Sequence, residues 1–138
     1  MKTSLRILVA DDNDEVRGIL RAILKDQAAM KVIAEARTGY EIVELVRVHK
    51  PDVVLMDVDM PGLDGFQALQ RIMQDRADTK VIMVTRQTSR VAVNRAQRCG
   101  ARGYVAKQDL HAELVSAIQT LADGGAYLSK AVGGSSSR

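Results

Sequence analysis

The chain has 138 residues, with 20 Lys and Arg against 17 Asp and Glu, a formal charge of +3. Hydrophobic residues at 46% and charged residues at 27% describe one ordinary globular domain and exclude a disordered chain. The single cysteine, Cys99, excludes an internal disulfide and a cysteine-based zinc site, and His49 and His111 fit no metal spacing. No apolar run nears the ~20 residues a membrane span needs, and the N-terminus lacks a signal-peptide core, so a cytoplasmic location is expected.

Strand-like and helix-like stretches alternate. Leu5–Ala10 is a short apolar run of the buried-strand kind, stopped by Asp11-Asp12. Residues 14–26 read as a helix, because Val16, Ile19, Leu20, Ile23 and Leu24 recur at helical spacing behind Asn13, a good N-cap. Residues 31–37 form a second strand, and 39–50 a helix with Ile42, Leu45 and Val46 inward and Pro51 after its end. Residues 52–57 (DVVLMD) are a third strand; residues 64–76 are a helix with Phe66, Leu69, Ile72 and Met73 on one face. Residues 80–84 are a fourth strand, and 88–99 a weaker helix closed by Gly100. Residues 103–106 are a short fifth strand; residues 109–123 are a helix with Leu110, Leu114, Ala117, Ile118 and Leu121 aligned and Gly124-Gly125 as its stop.

Five β-then-α units predict an α/β fold with a parallel sheet covered by helices on both faces. The strands are apolar throughout, as strands buried on both sides must be. The domain is expected over residues 1–128. Residues 129–138, ending in a Gly/Ser-rich stretch, are expected to be a flexible tail or the start of an interdomain linker.

In open parallel α/β sheets, functional groups gather at the carboxyl ends of the strands. Here those ends carry Asp11-Asp12, Asp57, Thr85 and Lys107. No glycine-rich phosphate loop follows the first strand. Three carboxylates at one rim repel one another, and a hard divalent cation relieves this; Mg2+ takes oxygen ligands and typically one or two carboxylates. A carboxylate beside Mg2+ can attack a phosphoryl group to form an aspartyl phosphate. The transferring oxygens then need positive charge and a hydrogen-bond donor, which Lys107 and Thr85 supply.

These residues, in this order, resemble the receiver domains of two-component response regulators over roughly residues 4–128. The likeness rests on Asp11-Asp12, the stretch from Pro51 to Asp57, Met60-Pro61-Gly62 followed by Asp64-Gly65, then Thr85, and the stretch from Gly103 to Lys107. It implies a flavodoxin-like (βα)5 three-layer sandwich of strand order 2-1-3-4-5. It makes Asp57 the phosphoacceptor, served by a sensor histidine kinase, with Mg2+ held by Asp11, Asp12, Asp57 and the backbone carbonyl of Asp59. Thr85 and Tyr104 become the switch pair, with Tyr104 rotating inward once Thr85 turns toward the phosphoryl oxygens. Lys107 without a following proline, and the run from Gly124 through Tyr127 to Ser129, look most like the subfamily joined to a LuxR-type helix-turn-helix output domain. Phosphorylation-dependent homodimerisation is implied in the same way.

Arg86 departs from the family pattern, which has a small residue there. Arg86, Asp59 and Gln87 are expected to tune dephosphorylation. A stand-alone receiver acting by protein binding is the alternative. A haloacid-dehalogenase-like phosphatase shares the order Asp57, Asp59, Thr85, Lys107, but its acidic metal pair follows the lysine, whereas Asp11-Asp12 precede everything here.

The positive charge is concentrated. Residues 79–108 carry seven basic side chains and no acid, whereas residues 1–78 carry 11 basic and 14 acidic. The basic stretch lacks interleaved aromatics, so direct nucleic-acid contact by this chain is not expected.

Overall fold

The computed structural model describes residues 4–133. Six strands form one parallel sheet of order β2-β1-β3-β4-β5-β6: β1 (Leu5–Ala10), β2 (Met30–Ala36), β3 (Val53–Met56), β4 (Lys80–Thr85), β5 (Gly103–Ala106) and β6 (Tyr127–Leu128). The helices are α1 (Asp14–Lys25), α2 (Gly39–His49), α3 (Gly65–Asp75), α4 (Arg90–Arg98) and α5 (Leu110–Ala122). The expected order 2-1-3-4-5 holds, with one strand added at its outer edge.

The three layers follow from the two-residue period of the strands. Ile7 and Val9 of β1, with Val53, Leu55, Ile82, Val84 and Val105, pack against α1 and α5. Leu8 and Ala10, with Val54, Met56, Val81, Met83 and Tyr104, pack against α2, α3 and α4. All four residues of β3 are fully buried. Each such side chain contributes about 1.5–3 kcal/mol, which outweighs the roughly 1–2 kcal/mol of backbone ordering per residue.

Local chemistry sets the helix ends. Asn13 Oδ1 accepts from the backbone N–H groups of Glu15 and Val16 at 2.8 and 3.2 Å. Asp64 and Gln67 form a reciprocal capping box at the start of α3. Helix α4 starts at Arg90, two residues later than the apolar spacing suggests, because the Ser89 hydroxyl accepts from Ala92 N–H and caps it there. Residues 86–89 are therefore a connection at the rim. Helix α5 is preceded by a 3-10 turn at Lys107–Asp109, and Asp109 does not cap it.

The packed structure runs past residue 128, beyond the point where a flexible tail was expected to begin. Tyr127 N–H bonds to Arg102 O, and Ser129 N–H to Tyr104 O, each at 2.9 Å, which builds β6 onto β5. A 3-10 turn follows at Lys130–Val132. The remainder of the tail expected over 129–138, residues 134–138, lies outside the described residues. Among the described residues, no helix is long and apolar enough to cross a membrane.

Candidate functional site at the carboxyl rim

The ladders of β1 and β3 deliver two acids to the same place. Asp11 follows β1, held by its N–H on Ala36 O at 3.1 Å; Asp57 follows β3, held by its N–H on Ala10 O at 3.0 Å. Both are almost fully buried, Asp11 at 1% and Asp57 at 4% exposure, while Asp12 is exposed. One carboxylate oxygen from each of Asp11, Asp12 and Asp57 lies within 4.8 Å of the others. Two buried anions and one exposed anion at that spacing are an oxygen-rich, charge-deficient donor set, which fits a hard divalent cation.

Lys107 brings a cation to the cluster. Its Nζ lies 3.0 Å from Asp11 Oδ2 and 3.0 Å from Asp57 Oδ2. Burial works against the Lys107 ammonium, but its bonds to Asp11 and Asp57 prevail and its pKa is raised. The Asp11 carboxyl is also shifted up, chiefly by burial and further by the Asp57 charge, against the lowering influence of Asn13 N–H and Lys107.

The loops around the acids are tied by backbone contacts. Asn13 N–H donates to Asp11 Oδ1 at 2.9 Å, and Asp59 N–H to Asp57 Oδ1 at 3.3 Å. The second bond sets the Asp59 peptide beside the Asp57 carboxylate. Gly65 is required by proximity: a Cβ there would stand 2.2 Å from Asp57 O and 2.7 Å from Val58 Cα. Its absence lets α3 start directly against the loop that carries Asp57. Arg17, on α1, donates from Nη1 to Asp11 O at 2.6 Å and pairs with Asp14 and Glu35. Nothing in the sequence pattern sets this arginine apart from other helix-surface arginines.

Thr85 is the last residue of β4 and is fully buried; its Oγ1 accepts from Gln87 N–H at 3.3 Å. Gln87 is a hub. Its side-chain amide donates to Asp59 Oδ1 at 2.8 Å, and its carbonyl accepts from the Tyr104 hydroxyl at 2.5 Å. The expected switch has Tyr104 rotating inward once Thr85 turns toward the phosphoryl oxygens. In this structure Tyr104 is inward, 1% exposed, and the Gln87 carbonyl satisfies its hydroxyl. Burial, with the nearby Asp57 and Asp59 charges, pushes the Tyr104 phenol up to about 12. Arg86 is exposed and makes no ion pair with the rim carboxylates.

A parallel α/β sheet with a buried aspartate, an acidic cluster and a lysine converging at its carboxyl rim defines a flavodoxin-like domain with an acidic rim site. The family model for the response regulator receiver domain matches residues 7–119, and the chain belongs to that family. Response regulator UvrY of Escherichia coli (strain K12) is 38% identical over 124 residues, which is 90% of this chain and 57% of that protein. This chain thus spans little more than half the length of such relatives. Among solved structures, a LuxR-family two-component response regulator from Aurantimonas sp. SI85-9A1 matches with a TM-score of 0.90 at 32% identity, over 94% of this chain and 92% of that one. The signal receiver domain of the NarL response regulator from Mycobacterium tuberculosis matches with a TM-score of 0.84 at 30% identity, over 88% of this chain and 98% of that one.

Proposed function

We propose that Asp57 accepts a phosphoryl group from the phosphohistidine of a sensor kinase, and that the resulting charge switches an output surface. The observation that carries this reading is the pairing of the buried Asp57 carboxylate with Lys107 Nζ at 3.0 Å inside the acidic cluster. An Asp57 oxygen forms the new O–P bond as the N–P bond of the donor breaks, and the electron pair leaves with the imidazole. Lys107 neutralises charge on the transferring oxygens, and Thr85 offers its hydroxyl to them. Asp11, Asp12 and Asp57, with the Asp59 carbonyl, would hold Mg2+, which supplies further neutralisation of phosphoryl charge. The Asn13 N–H bond to Asp11 Oδ1 and the Arg17 contact to Asp11 O keep the first acid loop in place for that role.

Asp59 and Gln87 lie across the approach to Asp57 and, with Arg86, govern how fast water removes the phosphoryl group. Thr85 and Tyr104 form the switch. Because Gln87 touches both, the pair communicates through the residue 86–89 connection.

The output is transcriptional, through a helix-turn-helix domain outside this chain, and phosphorylation promotes a homodimer. Support comes from the relatives, which are response regulators longer than this chain, and from the LuxR-family structural neighbour. The test is phosphorylation by acetyl phosphate with Mg2+, read as a mass increment and as a shift in gel filtration, repeated with a beryllofluoride mimic. Wild type should gain one phosphoryl group and Asp57→Asn none. Phosphorylation of Asp57→Asn at the wild-type rate would overturn the assignment.

A further inference from the structure

β5 carries Tyr104 and, one residue past its end, Lys107; its outer edge is closed by β6. Ser129 sits at that seam and is fully buried. Its N–H donates to Tyr104 O at 2.9 Å, and its hydroxyl oxygen accepts from Ala106 N–H at 3.0 Å. The segment is fastened at more points. The Tyr127 hydroxyl donates to Glu113 Oε1 at 2.7 Å, Lys130 N–H to Glu113 Oε2 at 3.0 Å, and Ala131 N–H to Asp109 Oδ2 at 2.8 Å. Leu128 and Val132 pack against the same cluster as Tyr104.

We infer that residues 127–133 are a strap whose docking is coupled to the phosphorylation state of Asp57 through the backbone of residues 104–109. The inference rests on the phosphoacceptor reading above. Its physical basis is the set of groups that the strap binds. They flank Lys107 on both sides: Tyr104 O and Ala106 N–H before it, the Asp109 carboxylate after it. The head of Lys107 is set by its carboxylate partners. A phosphoryl group on Asp57 adds acceptor oxygens and about −1.5 to −2 of charge, which strengthens the hold on that ammonium. A firmer Lys107 narrows the positions open to residues 106–109. The strap fits only the ordered arrangement, so it docks more tightly when Asp57 is phosphorylated. Coupling of this kind is reciprocal: the docked strap must favour phosphorylation to the same degree. The strap is then the mechanical path by which the site sets the direction in which the chain leaves the domain.

Hydrogen exchange followed by mass spectrometry tests this, with and without acetyl phosphate and Mg2+, the phosphoryl group at Asp57 being verified in the same sample by its mass. In the phosphorylated protein, amides of residues 127–133 should exchange about fivefold slower or more, the lower end of ordinary allosteric coupling. Unchanged or faster exchange in a verified phosphoprotein overturns the strap and leaves the phosphoacceptor reading standing. Failure of Asp57 to take up phosphoryl overturns both. The reciprocal arm uses Ser129→Ala, which deletes the acceptor for Ala106 N–H with little change in volume. Its circular dichroism should stay folded while its steady-state phosphorylation falls severalfold. Folded Ser129→Ala with wild-type phosphorylation refutes the coupling. Should Ser129→Ala unfold, Glu113→Gln, which weakens the strap from outside the core, takes its place with the same two outcomes.

Discussion

Lys107→Met is the substitution that separates the two demands on the rim, stability and chemistry. Methionine keeps most of the apolar stem of lysine and removes only the ammonium. That ammonium stands 3.0 Å from both Asp11 and Asp57, whose side chains are 2% and 5% exposed, and the lysine side chain is 15% exposed. Removing one partner of a buried ion pair typically costs about 3–5 kcal/mol, because the remaining charge is left uncompensated. Two carboxylates are stranded here, so a loss of at least ~3 kcal/mol is expected in metal-free buffer at neutral pH. The deficit has a defined pH dependence. The Asp11 carboxyl is already raised from 3.8, by burial above all, and losing Lys107 removes two influences that lower it. A carboxyl whose folded pKa exceeds its unfolded pKa favours the fold at low pH, and that stability is lost as pH rises through the folded value. The gap between variant and wild type should therefore shrink on acidification and widen toward neutrality. Mg2+ should narrow it from the other side, because the variant's uncompensated acids bind the cation more tightly than wild type does, and a tenfold difference in affinity is worth about 1.4 kcal/mol at saturating cation. Urea denaturation in chelator, in Mg2+ and across pH reads all three effects. A loss below about 1 kcal/mol in chelator, the range of an exposed ion pair, would refute the claim that Lys107 holds the buried acids together.

Three other measurements bear on the same geometry. Gly65→Ala should destabilise by about 1–3 kcal/mol, although alanine is ordinarily favoured over glycine in helices, because its Cβ would meet backbone atoms of Asp57 and Val58; denaturant midpoints check it, and a stabilised variant would contradict the contact. Tyr104 and Tyr127 should ionise late in a spectrophotometric titration, since burial first, then the acids near each, pushes both to about 12. Their folded pKa values lie above the ordinary 10.0, so the stability they contribute is intact below pH 10 and falls between pH 10 and 12; Tyr127→Phe should remove one late step and flatten that decline. Gln87→Ala releases Asp59 and should shorten the phosphoryl lifetime severalfold, whereas the exposed Arg86→Ala should change it less; the reverse order of effects would sink the role given to the Gln87 bridge.

What was legible in the sequence divides by whether the signal lies in a side chain. Asp11, Asp57, Thr85 and Lys107 could be found because apolar runs announce strands and strand ends announce a rim. The central strands could be read because β1, β3 and β4 are apolar on both faces. β6 could not: it is two residues long, flanked by Ala126 and Ser129, and exists only because Arg102 and Tyr104 offer carbonyls at an open edge. The register shift between Ile7 and Leu8 against β2 left no mark in the apolar pattern either. Gln87 was singled out beside the site, but its bond to Tyr104, like the seam role of Ser129, was hidden for a related reason. Gln87 engages Tyr104 through its carbonyl, and Ser129 holds a backbone N–H, so their strongest contacts involve groups that every residue carries.

The same distinction changes what the basic segment means. Seven cations between residues 79 and 108 look, in one dimension, like a uniformly positive surface. Lys107 is turned inward between two acids, Arg95 lies over the Phe66 ring at 4.3 Å, and Arg102 donates to Gly124 O at 3.3 Å. Arg95 and Arg102 are nonetheless exposed, as are Arg86, Arg90 and Arg98 on and before α4. A phosphate-tracking surface needs several cations in register along one groove, each releasing a counterion. Three of the seven, Lys107, Arg95 and Arg102, are engaged by the domain's own carboxylates, a ring face and a carbonyl, so the segment is not the uniformly positive surface that its sequence suggests. The side chain that matters most for chemistry, Lys107, is one that a surface-charge argument would have assigned to solvent.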